Sequence, residues 1–203
     1  MSSSDPTAGA QSGPAAGEEV AARDRELMAR VQAGDEAALG RLMERWERPV
    51  KVVIARLVGN AAEAEELAQE AFVRLWKGRD RFRPGAEFRP WMLSLALNLA
   101  RNRLRWWRRR PLVALEEWTP LPPADTADGA GALEARERAE AVRAAVAALP
   151  LEQREALVLF EYEGLAQTEI AVIAGTTPKA VERRLERARA ALRLSLARWL
   201  RRG

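Results

Sequence analysis

The chain of 203 residues contains no cysteine and no histidine. Their absence excludes disulfide bonds, thiol nucleophiles, zinc fingers and imidazole acid–base catalysis, and leaves only carboxylates as ligands for a metal ion. No apolar run approaches the roughly 18 residues that cross a bilayer, and the N-terminal MSSSDPTAG lacks the parts of a secretory signal. These absences predict a cytoplasmic protein with no membrane span, no cofactor and no metal site.

Lysine is also scarce, because 30 of the 33 basic residues are arginine. The net charge of +4 conceals how the charge is distributed: residues 78–110 carry +8 and residues 176–203 carry +7, whereas residues 111–175 carry −8. Arginine presents a planar fork that suits phosphates and guanine edges. A GC-rich genome would explain the excess of arginine but not its clustering, so the two basic blocks predict nucleic-acid surfaces.

Apolar residues recur at helical spacing along most of the chain, and no segment shows a convincing strand pattern. Residues 1–17 are rich in Ser, Ala, Gly and Pro, which predicts a disordered tail. Four prolines and an acidic stretch mark a linker over 111–132. We therefore predict an all-α protein of two small helical domains, over 18–110 and 133–203, joined by a flexible linker.

The second domain contains the pattern of a helix-turn-helix unit. A short helix over 167–174 and a turn at 175–177 precede a longer basic helix that starts at Pro178. The first part of such a second helix lies in the major groove, where arginine is suited to guanine and glutamate to cytosine. The candidate DNA-binding residues are Thr168, Thr177, Lys179, Glu182, Arg183, Arg184, Glu186 and Arg187. The alternative is a solvated amphipathic face with Glu–Arg pairs.

The first basic block, residues 78–110, interleaves ten arginines with aromatic side chains. Cations that follow the backbone and aromatic pockets that accept bases are typical of proteins that bind single-stranded nucleic acid. The loop that carries Arg81, Phe82 and Arg83 beside a basic helix therefore predicts a site for a base pulled from the duplex. In the alternative interpretation, which we favour for Trp91, the side chains of Trp91, Leu95 and Leu99 belong to the core and only the arginines are exposed.

The helix that precedes the first basic block is acidic. Its acidic residues and their neighbours are Glu63, Glu65, Glu66, Leu67, Gln69 and Glu70. Because negative charge repels DNA phosphates, this helix predicts either a protein-binding surface or an ordinary solvated helix face.

Several segments, taken in order, resemble the bacterial sigma factors of the extracytoplasmic-function group. They cover nearly everything between about residues 25 and 195 and are LMARVQAGD at 27–35, AEELAQEAFVRLW at 64–76, DRFRPGAEFRPW at 80–91, NLA at 98–100, LPLEQREA at 149–156, GLAQTEIA at 164–171 and AVERRLERAR at 180–189. This group has only sigma regions two and four, joined by a linker, which agrees with the break at 111–132. The resemblance implies a promoter-specificity subunit of RNA polymerase that is not itself an enzyme.

The resemblance also implies a role for each surface. The acidic helix would bind the clamp helices of the polymerase largest subunit, and the second domain would contact the flap of the second subunit and read the minus-thirty-five element. The first domain would read and open the minus-ten element with Arg81, Phe82, Arg83, Phe88, Trp91, Asn98, Asn102 and Arg105. The implied partners are the core polymerase, promoter DNA and an anti-sigma factor.

Two residues depart from the pattern of the group. Many members carry aspartate where Asn102 stands, and a small or basic residue where Glu182 stands. Glu182 would repel phosphate unless it contacts a cytosine. The promoter sequence that other members of the group read therefore cannot be assigned to this chain.

Three other interpretations compete with the sigma factor. A stand-alone helix-turn-helix regulator would bind duplex DNA without polymerase, but it needs neither the acidic helix nor the aromatic–basic loop. An enzyme built on the glutamates of 63–70 has no partner acid or metal site in the sequence. A helical adaptor without nucleic acid does not explain the two basic blocks.

Overall fold

A computed structural model describes residues 14–110 and 132–200, and within them every regular element is a helix. The helices are α1 (Pro14–Gln32), α2 (Glu36–Val58), α3 (Ala61–Lys77), α4 (Phe88–Arg109), α5 (Ala132–Ala147), α6 (Leu151–Leu157), α7 (Gln167–Ala174), α8 (Pro178–Ser195) and α9 (Ala197–Leu200). A 3-10 turn (Arg79–Arg81) precedes α4, and α6 continues as a wider π-helical segment (Val158–Tyr162). The predicted all-α class is confirmed.

We call α1 to α4 the first region and α5 to α9 the second region. Short polar residues set the helix boundaries in the first region. The Asp35 carboxylate accepts a hydrogen bond from the Ala38 N–H at 3.0 Å and starts α2. Gly59 ends α2 in the left-handed conformation, with φ of 73°. Asn60 then caps α3 by accepting from the Glu63 N–H at 3.2 Å. These are the positions at which side-chain caps and a left-handed glycine satisfy the free groups of helix ends.

Helix α1 begins at Pro14, so the last four residues of the predicted tail over 1–17 are helical. Residues 1–13 of that tail, and the predicted flexible linker apart from Ala132, lie outside the described residues. Ala132 is the first residue of α5.

Helices α1 to α4 pack around one apolar core that includes Met28, Leu42, Ile54 and Leu97, all fully buried. Like Glu63, the Asp24 carboxylate is buried within this region. It accepts hydrogen bonds from Trp46 Nε1 and Arg45 Nη1, each at 2.9 Å. Burial raises the pKa of Asp24, against the opposing effect of these hydrogen bonds and of the Arg45 charge.

The two regions share apolar packing. Ile170 and Ile173 on α7 and Val181 and Leu185 on α8 belong to the same continuous cluster of buried side chains as the core of α1 to α4. A smaller cluster, centred on Leu157, joins α5, α6 and α8. The two predicted domains therefore lie against each other in this structure and are not held apart.

Candidate nucleic-acid and polymerase interfaces

The helix-turn-helix unit is formed by α7, the turn that follows it, and α8. Gly175 adopts the left-handed conformation, with φ of 65°, and ends α7. The Thr177 side chain accepts from the Ala180 N–H at 3.2 Å, and Pro178 occupies the first turn of α8. A left-handed backbone conformation favours glycine. Proline at the first position of a helix costs no hydrogen bond, because the N–H group there has no partner within the helix. The local sequence thus determines where α7 ends and where α8 begins.

The side of α8 that faces away from the core carries its charges. Arg183, Glu186 and Arg187 are exposed, as are Thr168 and Thr177. The first part of this helix therefore presents arginine forks to solvent, which is the placement that reading a major groove requires.

Glu182 is paired with Lys179. The Lys179 Nζ lies 2.6 Å from a carboxylate oxygen of Glu182, three residues further along α8. The hydrogen bond that Lys179 donates to Glu182, together with the Glu182 charge, raises the pKa of Lys179. Glu182 therefore brings a compensating cation with it, which reduces the repulsion that an isolated carboxylate would experience beside phosphates.

Two other arginines of α8 are bound within the second region. Arg184 Nη2 lies 2.7 Å from a carboxylate oxygen of Glu152, and Arg189 Nη2 lies 2.8 Å from one of Glu161. Arg184 is one of the predicted DNA contacts, and in this conformation its guanidinium is paired with the Glu152 carboxylate. The exposed cations closest to the start of α8 are Lys179, Arg183 and Arg187.

The loop before α4 is held by side chains of the first region. The Gln32 side-chain amide donates to the carbonyl oxygens of Arg79, at 3.0 Å, and Phe82, at 2.8 Å. Arg81 and Arg83 on this loop are exposed. Gly85 has φ of 78°, a backbone conformation that residues other than glycine rarely adopt. The loop thus keeps two cations outward on a fixed backbone.

The aromatic residues of the same block point inward. Phe82 is 4% exposed and Phe88 is 1% exposed. The Phe82 ring packs against Trp91, with centroids 5.1 Å apart, and Phe88 packs against Trp46 at 5.6 Å. Neither phenylalanine ring is open to a base in this conformation, contrary to the predicted base-holding loop. Trp91 is half-buried against the same cluster, as its favoured core interpretation expected.

The polar side of α4 forms a continuous stripe. Asn98, Asn102 and Arg105 are exposed and follow one another at steps of four and three residues, so they share one side of the helix. Trp91 lies two turns before Asn98 and ends the stripe at the loop. We call these four residues the α4 stripe.

Some of the predicted polymerase-contact residues on the acidic helix α3 are exposed, and others are buried. Glu66 and Gln69 are exposed, whereas Leu67 is 2% and Glu63 5% exposed. Glu63 accepts a hydrogen bond from Arg103 on α4. The part of α3 that can meet a partner is therefore narrower than the acidic pattern predicted, since Leu67 and Glu63 hold α3 in place.

The remaining two acidic residues, Glu65 and Glu70, are half-buried and each is paired. Glu65 contacts the Lys51 ammonium, and Glu70 accepts from Arg74 one turn later on α3 at 2.6 Å. Their carboxylates still reach the outer side of α3, next to Glu66 and Gln69.

Sequence reasoning missed a set of charged residues between the two regions. Arg101 on α4 contacts Glu155 on α6 through two hydrogen bonds, at 2.6 and 2.7 Å. The adjacent Arg154 donates to the Leu57 carbonyl oxygen at the end of α2, at 2.5 Å. Nothing in the local pattern singled out these residues, because their partners are 54 and 97 positions away.

Among the residues that the structure describes, no helix is long and apolar enough to cross a membrane. In the same part of the chain, no three acidic side chains gather in an arrangement that would hold a metal ion.

The fold is that of an all-helical protein with a helix-turn-helix, a motif of many DNA-binding proteins, in its second region. Comparison with known families then gives the particular family: the Sigma-70 region 2 family matches residues 42–110, and the Sigma-70, region 4 family matches residues 139–192. The chain belongs to the sigma factors of RNA polymerase, in their extracytoplasmic-function group.

Individual relatives agree with this assignment. The chain is 31% identical over 183 residues to the ECF RNA polymerase sigma-E factor of Escherichia coli strain K12, covering 83% of this chain and 92% of that protein. It is 36% identical over 168 residues to the probable RNA polymerase sigma factor RfaY of Xanthomonas campestris pv. campestris. That match covers 81% of this chain but only 42% of RfaY, which is the longer protein.

A solved structure has the same fold. CnrH, determined in complex with the cytosolic domain of CnrY, superposes with a TM-score of 0.65 and 26% identity. The match covers 86% of this chain and 97% of CnrH. The arrangement of helices is therefore shared over nearly the whole of both chains.

Proposed function

We propose that the two regions of this sigma factor divide promoter recognition between them. The second region reads the minus-thirty-five element with the start of α8, and the first region reads and opens the minus-ten element with the α4 stripe and its loop. The single observation that carries this proposal is the presence of two separate exposed sets of arginines, one on each region. The functional limits we assign are 18–110 and 133–203, with a linker over 111–132.

The second region makes its base contacts through Arg183 and Arg187, which are exposed on the first turns of α8. Arginine binds guanine O6 and N7 with two hydrogen bonds, and each such pair is worth about 1–3 kcal/mol of discrimination. Lys179 holds Glu182 beside them at 2.6 Å. This pair supports a contact between Glu182 and a cytosine N4 amino group, with the lysine offsetting the carboxylate's charge.

The first region uses exposed side chains rather than its buried rings. Asn98, Asn102 and Arg105 can hydrogen-bond to base edges and phosphates, and Arg81 and Arg83 are exposed on the loop before α4. Trp91 is the aromatic residue of the stripe that is partly open to a base. For Phe82 and Phe88 we propose a supporting role, in which they hold the loop and α4 in position.

Core polymerase meets both regions. The exposed side of α3, with Glu66 and Gln69, is the surface that we assign to the clamp helices of the largest subunit. In the second region an open apolar groove of about 310 Å³ lies between α5, α6 and α8. Its walls include Val142, Val146 and Leu192, and we assign it to the flap of the second subunit.

An anti-sigma factor is the expected regulator. CnrH was solved in complex with the cytosolic domain of CnrY, and this chain shares the fold of CnrH, which supports a regulatory protein that binds the chain directly. Since polymerase and promoter DNA are cytoplasmic in bacteria, this function also places the chain there. The sigma factor acts by binding alone, with polymerase supplying all chemistry.

In vitro transcription with bacterial core polymerase on a genomic library tests the proposed function. We expect new transcripts that depend on this chain, with starts downstream of a shared pair of sequence elements. If the chain binds duplex DNA but starts no transcripts with polymerase, the stand-alone regulator is the correct interpretation.

A further inference from the structure

Helix α1 supplies the side chains that hold the loop before α4, residues 78–87. The Gln32 side-chain nitrogen donates to the carbonyl oxygens of Arg79, at 3.0 Å, and of Phe82, at 2.8 Å. These two carbonyl groups bracket the 3-10 turn, since the Phe82 N–H also donates to the Arg79 carbonyl oxygen, at 3.1 Å. One amide group of α1 therefore fixes both ends of the turn.

Gln32 is itself held in place at the end of α1. Gly34 follows the helix end in the left-handed conformation, with φ of 90°, and Asp35 caps the start of α2 directly afterwards. The Arg30 guanidinium donates two hydrogen bonds to one Asp35 carboxylate oxygen, at 2.9 and 2.6 Å, which joins the last turns of α1 to the start of α2. The amide that reaches the loop thus starts from a corner that hydrogen bonds keep in position.

A second contact ties the far end of the loop to α1. Arg25, two turns before Gln32, forms an ion pair with Glu87, the residue that precedes α4. Both side chains are partly exposed, and an exposed ion pair by itself contributes little to stability. Together with the two hydrogen bonds from Gln32, however, it means that α1 contacts the loop near its beginning and at its end.

The hydrogen bond to Phe82 determines which side of the loop faces solvent. Phe82 has an extended backbone, with φ of −70° and ψ of 120°. Successive side chains of an extended segment point to opposite sides, so burial of the Phe82 ring turns Arg81 and Arg83 outward together. The ring is 4% exposed, whereas both arginines are exposed to solvent. Release of the Phe82 carbonyl group would let the backbone turn, and this division of side chains would be lost.

We propose that Gln32 is a positioning residue for strand opening, and that α1 belongs to the DNA-opening machinery of the first region. Helix α1 lies outside residues 42–110, over which the Sigma-70 region 2 family matches. The inference rests on the proposed function, because it takes Arg81 and Arg83 as contacts to the opened strand. Gln32 does not contact DNA itself. It holds the two arginines in one orientation, which reduces the entropy that is lost when the strand binds.

The hydrogen bonds of Gln32 can be removed with little change in shape. Gln32→Met keeps a side chain of similar length and helix propensity but has no N–H group to donate. The probe is the single non-template strand of the minus-ten element, from a promoter of the transcription library, bound to this chain with core polymerase. Gln32→Met should lower the affinity for this strand about tenfold. Gln153→Met, the same exchange at a half-buried glutamine of α6, is the matched control and should leave the affinity unchanged.

A double-mutant cycle separates positioning from general destabilisation. In a chain that carries Arg81→Ala and Arg83→Ala, Gln32→Met should change the affinity for the strand by less than about twofold, because the side chains that Gln32 positions are gone. An equal loss in both backgrounds would overturn the proposal, and so would no loss in either. Circular dichroism establishes that the variants are folded, and Gln32→Leu replaces Gln32→Met if the latter is not.

The order of the loop is measured without DNA or polymerase. Because the chain has no native cysteine, a spin label attaches only at an introduced one, such as Asp80→Cys at an exposed position of the 3-10 turn. Gln32→Met should increase the mobility of this label in the electron resonance spectrum. A label at Ala190→Cys on α8 is the control and should not respond to Gln32→Met. An unchanged spectrum of the label at position 80 would overturn the proposal.

Failure of the proposed function is distinguishable from failure of the Gln32 proposal. If the unaltered chain with core polymerase does not prefer the minus-ten strand to an unrelated strand, the proposed role of the first region is wrong, and the opening role of Gln32 is wrong with it. The label at position 80 still shows in that case whether Gln32 holds the loop. If the strand is preferred and the loop loosens in Gln32→Met without loss of affinity, only the positioning role is wrong.

Discussion

The basic blocks at 78–110 and 176–203 carry similar net charge but differ in what surrounds their arginines. In the first block, Phe82 and Phe88 are buried beneath the loop, and exposed polar residues form the reading surface. In the second block, the apolar residues of α8 fill one side and the arginines occupy the other. The comparison shows that clustered charge locates a surface, whereas aromatic residues within a basic block are equally able to build the support beneath it.

The largest effect should come from the buried ring of the first block. Phe88→Ala should lower the free energy of unfolding by about 3–5 kcal/mol, because it removes a fully buried ring and leaves a cavity. Denaturant unfolding followed by circular dichroism measures it. Val172→Ala, at a site that is 78% exposed, is the control and should change stability by less than about 0.5 kcal/mol. A Phe88→Ala protein that keeps its stability but cannot open DNA would contradict the supporting role of Phe88 and indicate that its ring contacts a base.

The second block should lose specificity rather than stability. Arg183→Ala should relax base preference at one position of the upstream element by about 1–3 kcal/mol. Binding to a set of single-base variants of that element measures the change. Arg184→Ala on the neighbouring position is the control, since Arg184 is paired with Glu152. Equal loss of preference in both variants would show that the ion pair opens on DNA.

An exposed cation of the first block should act mainly through phosphate. Arg83→Ala should weaken binding nearly uniformly across sequences and reduce the slope of log affinity against log salt by about 1. Titration of the polymerase complex with promoter DNA at several salt concentrations measures the slope. A sequence-dependent loss would instead make Arg83 a base-reading residue.

Two carboxylates of the first region should give small pH effects of opposite sign. Burial raises the pKa of Asp24 above its usual value near 3.8, so its contribution to stability should fall as pH rises from 3.8 through the raised value. Hydrogen bonds from Arg30 and the Ala38 N–H lower the pKa of Asp35, so its contribution is present above 3.8 and is lost as pH falls through the lowered value.

Unfolding across this acid range, compared between the unaltered chain, Asp24→Asn and Asp35→Asn, measures the two contributions. Asp24→Asn should remove the decrease in the free energy of unfolding as pH rises. Asp35→Asn should remove the loss of unfolding free energy as pH falls. Identical pH profiles in all three proteins would contradict both directions.

Much of the fold follows from local chemistry that the sequence displays. Asp35, Gly59, Asn60 and Gly175 set helix ends where capping and left-handed backbone predict them, and the turn before Pro178 identifies the helix-turn-helix. The start of α1 was missed because Ser, Ala, Gly and Pro gave no periodic signal before Glu18. Local rules decide these cases, since each depends on a few neighbouring residues.

The candidate site was less predictable where it depends on distant partners. The burial of Phe82 follows from packing against Trp91 and a hydrogen bond from Gln32 on α1, and spacing within the loop does not reveal it. The ion pair between Arg184 on α8 and Glu152 on α6 is another contact between helices that the sequence pattern does not reveal. The contact between Arg101 and Glu155 joins residues 54 positions apart, which no pattern in one sequence specifies.

Footprinting on a promoter from the transcription library, with permanganate to mark unpaired thymines, most directly tests the claim that both surfaces work together on one promoter. With core polymerase, this chain should protect two separate elements of one promoter and should open the strand at the downstream one. Protection of the same DNA by the chain alone, with no opening when polymerase is added, would contradict the account.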